Sequence, residues 1–340
     1  MALAEEKEMS EKEEIRDLFL RYGIEMPRRF RRNEKDAFCN AAGKEFQKNG
    51  YPVKAIAGTY KVRAVDVAAN DLKKAENIII ANYDTPMHNF GNPFSYYPLN
   101  GPSSVKASTL PYYTPQIICM LVAVFFMIAY VGKIDFSARP LFSVIVTAAV
   151  FACCILGYIL STAFGNKCNM NRNTSGCVGA MRISALLKDA KNKTAFVLTD
   201  YGCSRHTGDN VLRHEIPDTI DHKQIIYLDC IGNGDTTMVG YTEGHKKQAE
   251  KLAACIHAKL YQLTPAELKY TSFSYYPSGL LVTRGFYKEE SKIVSIPDTA
   301  TKQDDTVDPD LVEELCQGIA SYLEKEPIEM KETKENNDHE

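Results

Sequence analysis

Three short clusters carry most of the side chains that can do chemistry in this chain, and each follows an apolar run. They are Asn82-Tyr83-Asp84-Thr85-Pro86 after Asn77 to Ala81, Asp200-Tyr201-Gly202-Cys203 after Thr194 to Thr199, and Asp229-Cys230-Ile231-Gly232 closing the run from Gln224. Carboxylates, thiols and imidazoles act as metal ligands, bases or nucleophiles when they converge. One such assembly is a metal site drawn from His88, Cys203, His206, Asp84 and Asp200. Against it, no two histidines have the helical spacing of a ligand pair, and a lone loop histidine is more often solvated or structural. Another is a Cys203 nucleophile with His206 as its base. Adjacency in sequence does not establish reach, and the sequence names no oxyanion donor for it.

The elements that must position these clusters alternate. Residues 11–49 show helical periodicity in two stretches, with the basic run Arg28, Arg29, Arg31, Arg32 between them reading as a solvated helix start. Residues 51–68 alternate as strands do, and Asn77 to Ala81 is a short, fully apolar strand. Later come a helix over Ser175 to Asp189, strands over Thr194 to Thr199, Gln224 to Asp229 and Thr236 to Val239, a helix over Lys246 to Gln262, a strand before Pro297, and a last helix over Pro309 to Leu323. Strands alternating with helices predict an α/β fold: a three-layer, mixed, mostly parallel sheet with helices on both faces. In such a sheet the ligand site gathers at the carboxyl ends of the strands, where the three clusters lie.

The 340 residues are 45% hydrophobic and 24% charged, with a formal net charge of −3. That balance excludes dominant disorder and gives no basic field for nucleic acid, so no nucleic-acid partner is expected. The ten cysteines contain no C-x-x-C pair, which speaks against a zinc ribbon and for a reducing compartment. Two uncharged runs stand apart, fifteen residues from Ile117 to Val131 and twenty-four from Leu141 to Phe164. At a helical rise of ~1.5 Å per residue the second reaches roughly 36 Å, enough for a hydrocarbon core of ~30 Å, and the first spans if Pro115 to Ile134 is counted. The reading is a transmembrane helical hairpin over 115–164, joined by Gly132 to Pro140. It divides a soluble domain into 11–114 and 165–325, with a charged, disordered tail at 326–340. The bland alternative is a pair of buried core helices. A hairpin keeps both flanks in one compartment. An acidic start without an apolar signal segment places that compartment, and both termini, in the cytoplasm of a two-span protein of the cell membrane, with the bilayer as its partner through the hairpin.

In order along the chain, NIIIANYDTP (77–86), NRNTSG (171–176), AFVLTDYGCSRHTGD (195–209), IIYLDCIGNGD (225–235) and IPDTATKQDDTVDPDLV (296–312) resemble the successive site motifs of metallopeptidase family 28, the di-zinc aminopeptidases and their relatives. The resemblance covers roughly residues 11–325 with the hairpin set aside as an insertion. It implies an aminopeptidase-like fold and a site in which carboxylates and imidazoles hold two zinc ions over a shared water. Position by position, it also implies that the site is degenerate. Asn82 stands at the first His position, with Asp84, the carboxylate that would orient it, retained. Arg172 stands at the bridging Asp, Gly202 and Cys203 at the Glu-Glu pair, and Thr301 at the last His, while Asp229 keeps its residue. Glycine takes no proton, and a guanidinium repels a metal.

The expectation is therefore a membrane-anchored pseudopeptidase with no catalytic residues, no metal ligands and no cofactor, serving binding, scaffolding or regulation. A membrane-protein or peptide partner would fit that role, and small residues from Ser143 to Ser161 would allow close helix packing. The alternative is a membrane-associated, zinc-dependent hydrolase with a rebuilt site. Arg172 is expected to replace the metals by pairing with Asp229, with Asp84 as a further partner; the bland alternative is an Arg172 that swings into solvent and touches neither.

Overall fold

The computed structural model describes residues 12–60 and 62–325. The expected tail at 326–340 lies outside the described residues. The alternating segment forms a hairpin, β1 (Val53–Tyr60) and β2 (Val62–Ala69), antiparallel from Val53 opposite Ala69 to Tyr60 opposite Val62. The apolar runs form β3 (Asn77–Asn82), β4 (Thr194–Thr199) and β5 (Gln224–Leu228), buried along almost their whole length. They are followed by β6 (Thr236–Tyr241), β7 (Lys259–Gln262), β8 (Leu280–Lys288) and β9 (Ile293–Ser295). The sheet runs β1-β2-β4-β3-β5-β8-β6-β7, with β9 on β8. It is mixed, with parallel pairings through the centre (β4, β3, β5, β8), antiparallel β1-β2, β2-β4, β8-β6 and β8-β9, and a parallel pairing again at the β6-β7 edge. Continuous apolar strands are what such a centre requires, because both faces are covered. One face carries the helices Arg32–Lys48, Ser175–Leu186 and Pro309–Lys325, and the other the helix Thr207–Glu215 with the 268–276 segment.

Two boundaries differ most from expectation. The segment read as one helix from Lys246 to Gln262 is a helix over Lys246–Cys255 and an edge strand, β7. His257, at φ +51°, turns the chain between them. The first apolar helix begins at Gly101 instead of Pro115, because the Asn100 side chain accepts the Ser103 N–H at 2.9 Å and caps it.

That helix, Gly101–Tyr130, and its partner, Pro140–Thr162, are long and apolar enough to cross a membrane. They pack on each other at Gly157, where an added methyl would press on Cys119 and Gln116. Only 11% and 17% of their most apolar windows is buried, so they are not core helices of the soluble layers. Phe125, Ile128, Leu141 and Phe151 are all more than 60% exposed, an apolar surface far beyond ordinary soluble patches. The pair leaves and rejoins the domain within the connection from β3 to β4. Its exit is stitched to the loop after β3: Met87 bridges Gly165, His88 N–H donates to Phe164 O at 2.8 Å, and Asn166 N–H donates to Pro86 O at 2.9 Å.

Candidate functional site

The parallel register sets Asn82 opposite Thr199 and Ala81 opposite Leu228, so the three polar clusters emerge side by side at one edge. Asp84 is buried, and its carboxylate accepts the N–H of Gly202 at 2.7 Å and of Cys203 at 3.2 Å, locking the loops after β3 and β4 together. Burial, with Asp200 nearby and against the pull of Lys35, pushes its carboxyl up to about 6. Asp200 is ion-paired to Lys35 Nζ at 2.5 Å, and that ammonium lies 3.5 Å above the Tyr201 ring. The Asp200 N–H donates to Asp66, a carboxyl so deeply buried that it is held well above the usual range.

Arg29, from the expected solvated run, is 0% exposed. Its guanidinium donates to Tyr83 O at 2.5 Å, to Tyr22 O and Met26 O at 3.0 Å, and to Thr174 Oγ at 2.9 Å, tying the backbone beside Asp84 to the start of the helix Ser175–Leu186. Neither Arg29 nor Lys35 carries a local sequence signal of this role, since each finds partners far along the chain.

Where the resemblance implied metal ligands, the side chains present bond to one another and leave no gap. Asn82 accepts the Thr199 hydroxyl at 2.6 Å and donates to Ser272 Oγ at 3.2 Å. Its amide lies where a Cβ on Gly202 would be, so Gly202 and Asn82 are sterically coupled. Gly202→Ala should cost about 1–3 kcal/mol by forcing that amide out of its bonds. Thermal melts followed by circular dichroism, suited to a chain without Trp, check it, and Asn82→Ala should recover most of the loss.

Cys203 is not a nucleophile paired with His206. Its sulfur accepts from Asn173 Nδ2 at 3.0 Å, and burial pushes the thiol up to about 12. His206 instead shares a hydrogen bond with Ser272 Oγ at 2.8 Å and lies 3.8 Å from Asp209. Burial lowers it to about 4, so the imidazole is neutral. His88 is bonded to Asn166 Oδ1 at 2.8 Å. Thr301 is a turn residue: its hydroxyl donates to Asp298 O at 2.6 Å and accepts the Gln303 N–H at 3.2 Å.

Arg172 departs most from expectation. Among the described residues, no carboxylate oxygen comes within 4.0 Å of its guanidinium. The group stacks on Tyr96, its Cζ 3.7 Å from the ring centroid, and the Tyr96 hydroxyl donates to Asp229 at 2.7 Å. The direct pair with Asp229 or Asp84 is thus replaced by a relay through an aromatic ring. Its cause is that both carboxylates are already engaged: Asp84 by two backbone N–H groups, Asp229 by Tyr96 and the Cys230 thiol at 3.2 Å. Tyr96, in the FSYYP stretch, is the site residue that sequence reasoning missed.

Among the described residues, no group of three or more His, Cys, Asp or Glu is arranged to hold a metal ion. With a guanidinium at the centre, an amide over Gly202 and each acid otherwise bonded, the donor set does not fit a di-zinc centre.

No family model matches the chain, and no curated protein matches it in sequence. Solved structures do match in shape. A glutaminyl cyclase from Tannerella forsythia is 10% identical with a TM-score of 0.57, covering 91% of this chain and 97% of its own. A Zn-dependent exopeptidase from Parabacteroides distasonis is 9% identical with a TM-score of 0.56, covering 94% and 98%. The Porphyromonas gingivalis glutaminyl cyclase is 10% identical with a TM-score of 0.53, covering 90% and 95%. What is shared is the fold, a mixed α/β architecture of the aminopeptidase and glutaminyl cyclase type.

Proposed function

We propose that this chain is a membrane-anchored, catalytically degenerate aminopeptidase-like protein that binds, scaffolds or regulates instead of hydrolysing. The observation that carries the reading is the packing at the site: Arg172 on Tyr96 and Asn82 over Gly202 occupy the positions at which the family resemblance implies metal ligands. At the positions where the resemblance implies the general base stand Gly202, which takes no proton, and Cys203, whose thiol stays protonated. In this reading no cofactor is bound and the helices Gly101–Tyr130 and Pro140–Thr162 form a two-span anchor. The domain sits on the cytoplasmic side, the bilayer is its first partner, and a membrane protein or peptide is its second.

The test uses the full chain purified in neutral detergent. Elemental analysis should give substoichiometric zinc, and aminoacyl amides should not be cleaved above background. Chelator-sensitive turnover would instead favour a rebuilt zinc hydrolase. Cysteines introduced at Lys106 and Lys191 should react from one side of the membrane and one at Ser137 from the other. Labelling of Lys106 and Lys191 from opposite sides would remove the hairpin.

A further inference from the structure

Arg172 is a half-buried cation with no carboxylate oxygen within 4.0 Å among the described residues. Its Nε is shielded from solvent and, among the described residues, has no hydrogen-bond partner. The charge cannot be shed, because arginine stays protonated under all ordinary conditions. Nor do its neighbours neutralise it: Cys203, Tyr96 and Cys230 are all held protonated by burial. A partly buried guanidinium with no carboxylate partner is stabilised by an anion that reaches its open nitrogens.

The surroundings define what that is. Stacking on Tyr96 at 3.7 Å fixes the plane of the fork, and the bond from Tyr96 to Asp229 fixes the ring. A planar fork held by one face offers its edge to an oxyanion, the geometry that suits two phosphate oxygens. Three residues on, the twelve-residue helix Ser175–Leu186 begins, and its N-terminal end adds positive potential to the same place. The nearby acids are turned elsewhere: Asp229 to Tyr96 and Cys230, and Asp304 to the Asn171 and Arg172 backbone N–H groups at 3.1 and 3.4 Å.

The site also lies on the side from which the apolar helices leave. Tyr112 of the first apolar helix is within electrostatic reach of Arg172 and packs on Phe94 at 5.4 Å. At the foot of the second, Phe164 meets Phe90 edge-on at 5.7 Å, and the two are 41% and 47% exposed.

We propose that Arg172, stacked on Tyr96, is the receptor for a single phosphate group, presented by an anionic phospholipid headgroup or by a soluble phosphate. The lipid source rests on the membrane reading above, whereas the phosphate site does not.

The full chain in neutral detergent is melted with inorganic phosphate against ionic-strength-matched chloride. It is melted again in nanodiscs of phosphatidylcholine alone or phosphatidylcholine mixed with phosphatidic acid. Phosphate should raise the melting temperature, and phosphatidic acid should do so at lower concentration if the headgroup is the source. A shift from inorganic phosphate alone assigns the site to soluble phosphates and removes the lipid source. Arg172→Gln should weaken the apparent affinity about tenfold or more, and Arg172→Lys, which keeps the charge and loses the fork, should fall between. If Arg172→Gln does not fold, Tyr96→Leu removes the stacking platform and should weaken phosphate in the same direction. No shift with either anion, or an Arg172→Gln protein that folds and keeps the shift, would overturn the proposal.

Discussion

Replacing Lys35 by Met is expected to lower the stability of the chain by about 3–5 kcal/mol. Lys35 sits on the helix Arg32–Lys48, buried, with its ammonium 2.5 Å from Asp200 Oδ1. Burial by itself would lower its pKa, but Asp84 and Asp200 outweigh that and raise it, so the ammonium stays charged. On the other side of the pair, burial raises the Asp200 carboxyl in spite of the pull from Lys35. Methionine matches lysine in length and leaves little cavity, so the loss reads out charge compensation more than packing. Without Lys35, Asp200 would be ionised beside Asp84 and Asp66 or would take up a proton, and either outcome costs stability at neutral pH. Urea unfolding of the full chain in detergent, followed by circular dichroism, measures it. The second substitution Asp200→Asn in the Lys35→Met background should restore much of the loss. A loss below about 1 kcal/mol, the size of an exposed ion pair, would mean that Asp200 is already neutral in the folded chain.

That pair shows where sequence reading stops. The strand Thr194–Thr199 is legible to the residue, and β3 and β5 to within one, because fully buried parallel strands are continuous apolar runs bounded by polar clusters. The same logic puts Asp84, Asp200 and Asp229 at one sheet edge from residue types alone. β8, with Arg284, Gly285 and Lys288 among its apolar residues, shows no clean pattern, and β7 merges with the preceding helix because a four-residue edge strand has no period of its own. Pro111 and Pro115 hide the helical start at Gly101, since a proline normally marks a break. Lys35 and Asp200 are 165 positions apart, and an isolated lysine on a polar helix face carries no sign of its partner. Arg172 stands out in the sequence, but its partner does not. Attraction between opposite charges can be anticipated from residue types, whereas the ring of Tyr96 interposed between the guanidinium and Asp229 depends on the path of a loop.

Stability should also fall as the pH rises from 5 to 8, by about 3 kcal/mol or more, against the usual behaviour of bonded carboxylates. Asp209 is 0% exposed; its Oδ1 accepts the Tyr276 hydroxyl at 2.9 Å and the Thr199 hydroxyl at 3.3 Å, and its Oδ2 has no partner. Burial, helped by Asp84, pushes it up to about 7 despite those bonds. Burial likewise pushes Asp304 up to about 7, against the Asn171 and Arg172 N–H groups. Between the ordinary aspartate value of 3.8 and about 7, the folded chain holds protons that the unfolded chain has lost. The proton difference therefore favours folding at low pH, and the advantage disappears as the pH passes the folded values. His206, lowered to about 4 by burial, works in the opposite direction below its ordinary value of 6.5, because only the unfolded chain gains that proton. Each extra proton held by one state changes stability by about 1.4 kcal/mol per pH unit, so these two raised acids outweigh the one lowered imidazole by about 3 kcal/mol over this range, and Asp84, Asp66 and Asp200, also raised by burial, add to the fall. Asp209→Asn separates the contributions. It removes the charge that folding must bury at pH 8 and keeps an oxygen for Tyr276, so it should be more stable than the parent at pH 8 and no better at pH 5. Chemical unfolding at both pH values decides it: a parent curve that rises with pH, or an Asp209→Asn protein destabilised equally at both, would show that Asp209 is ionised in the folded chain.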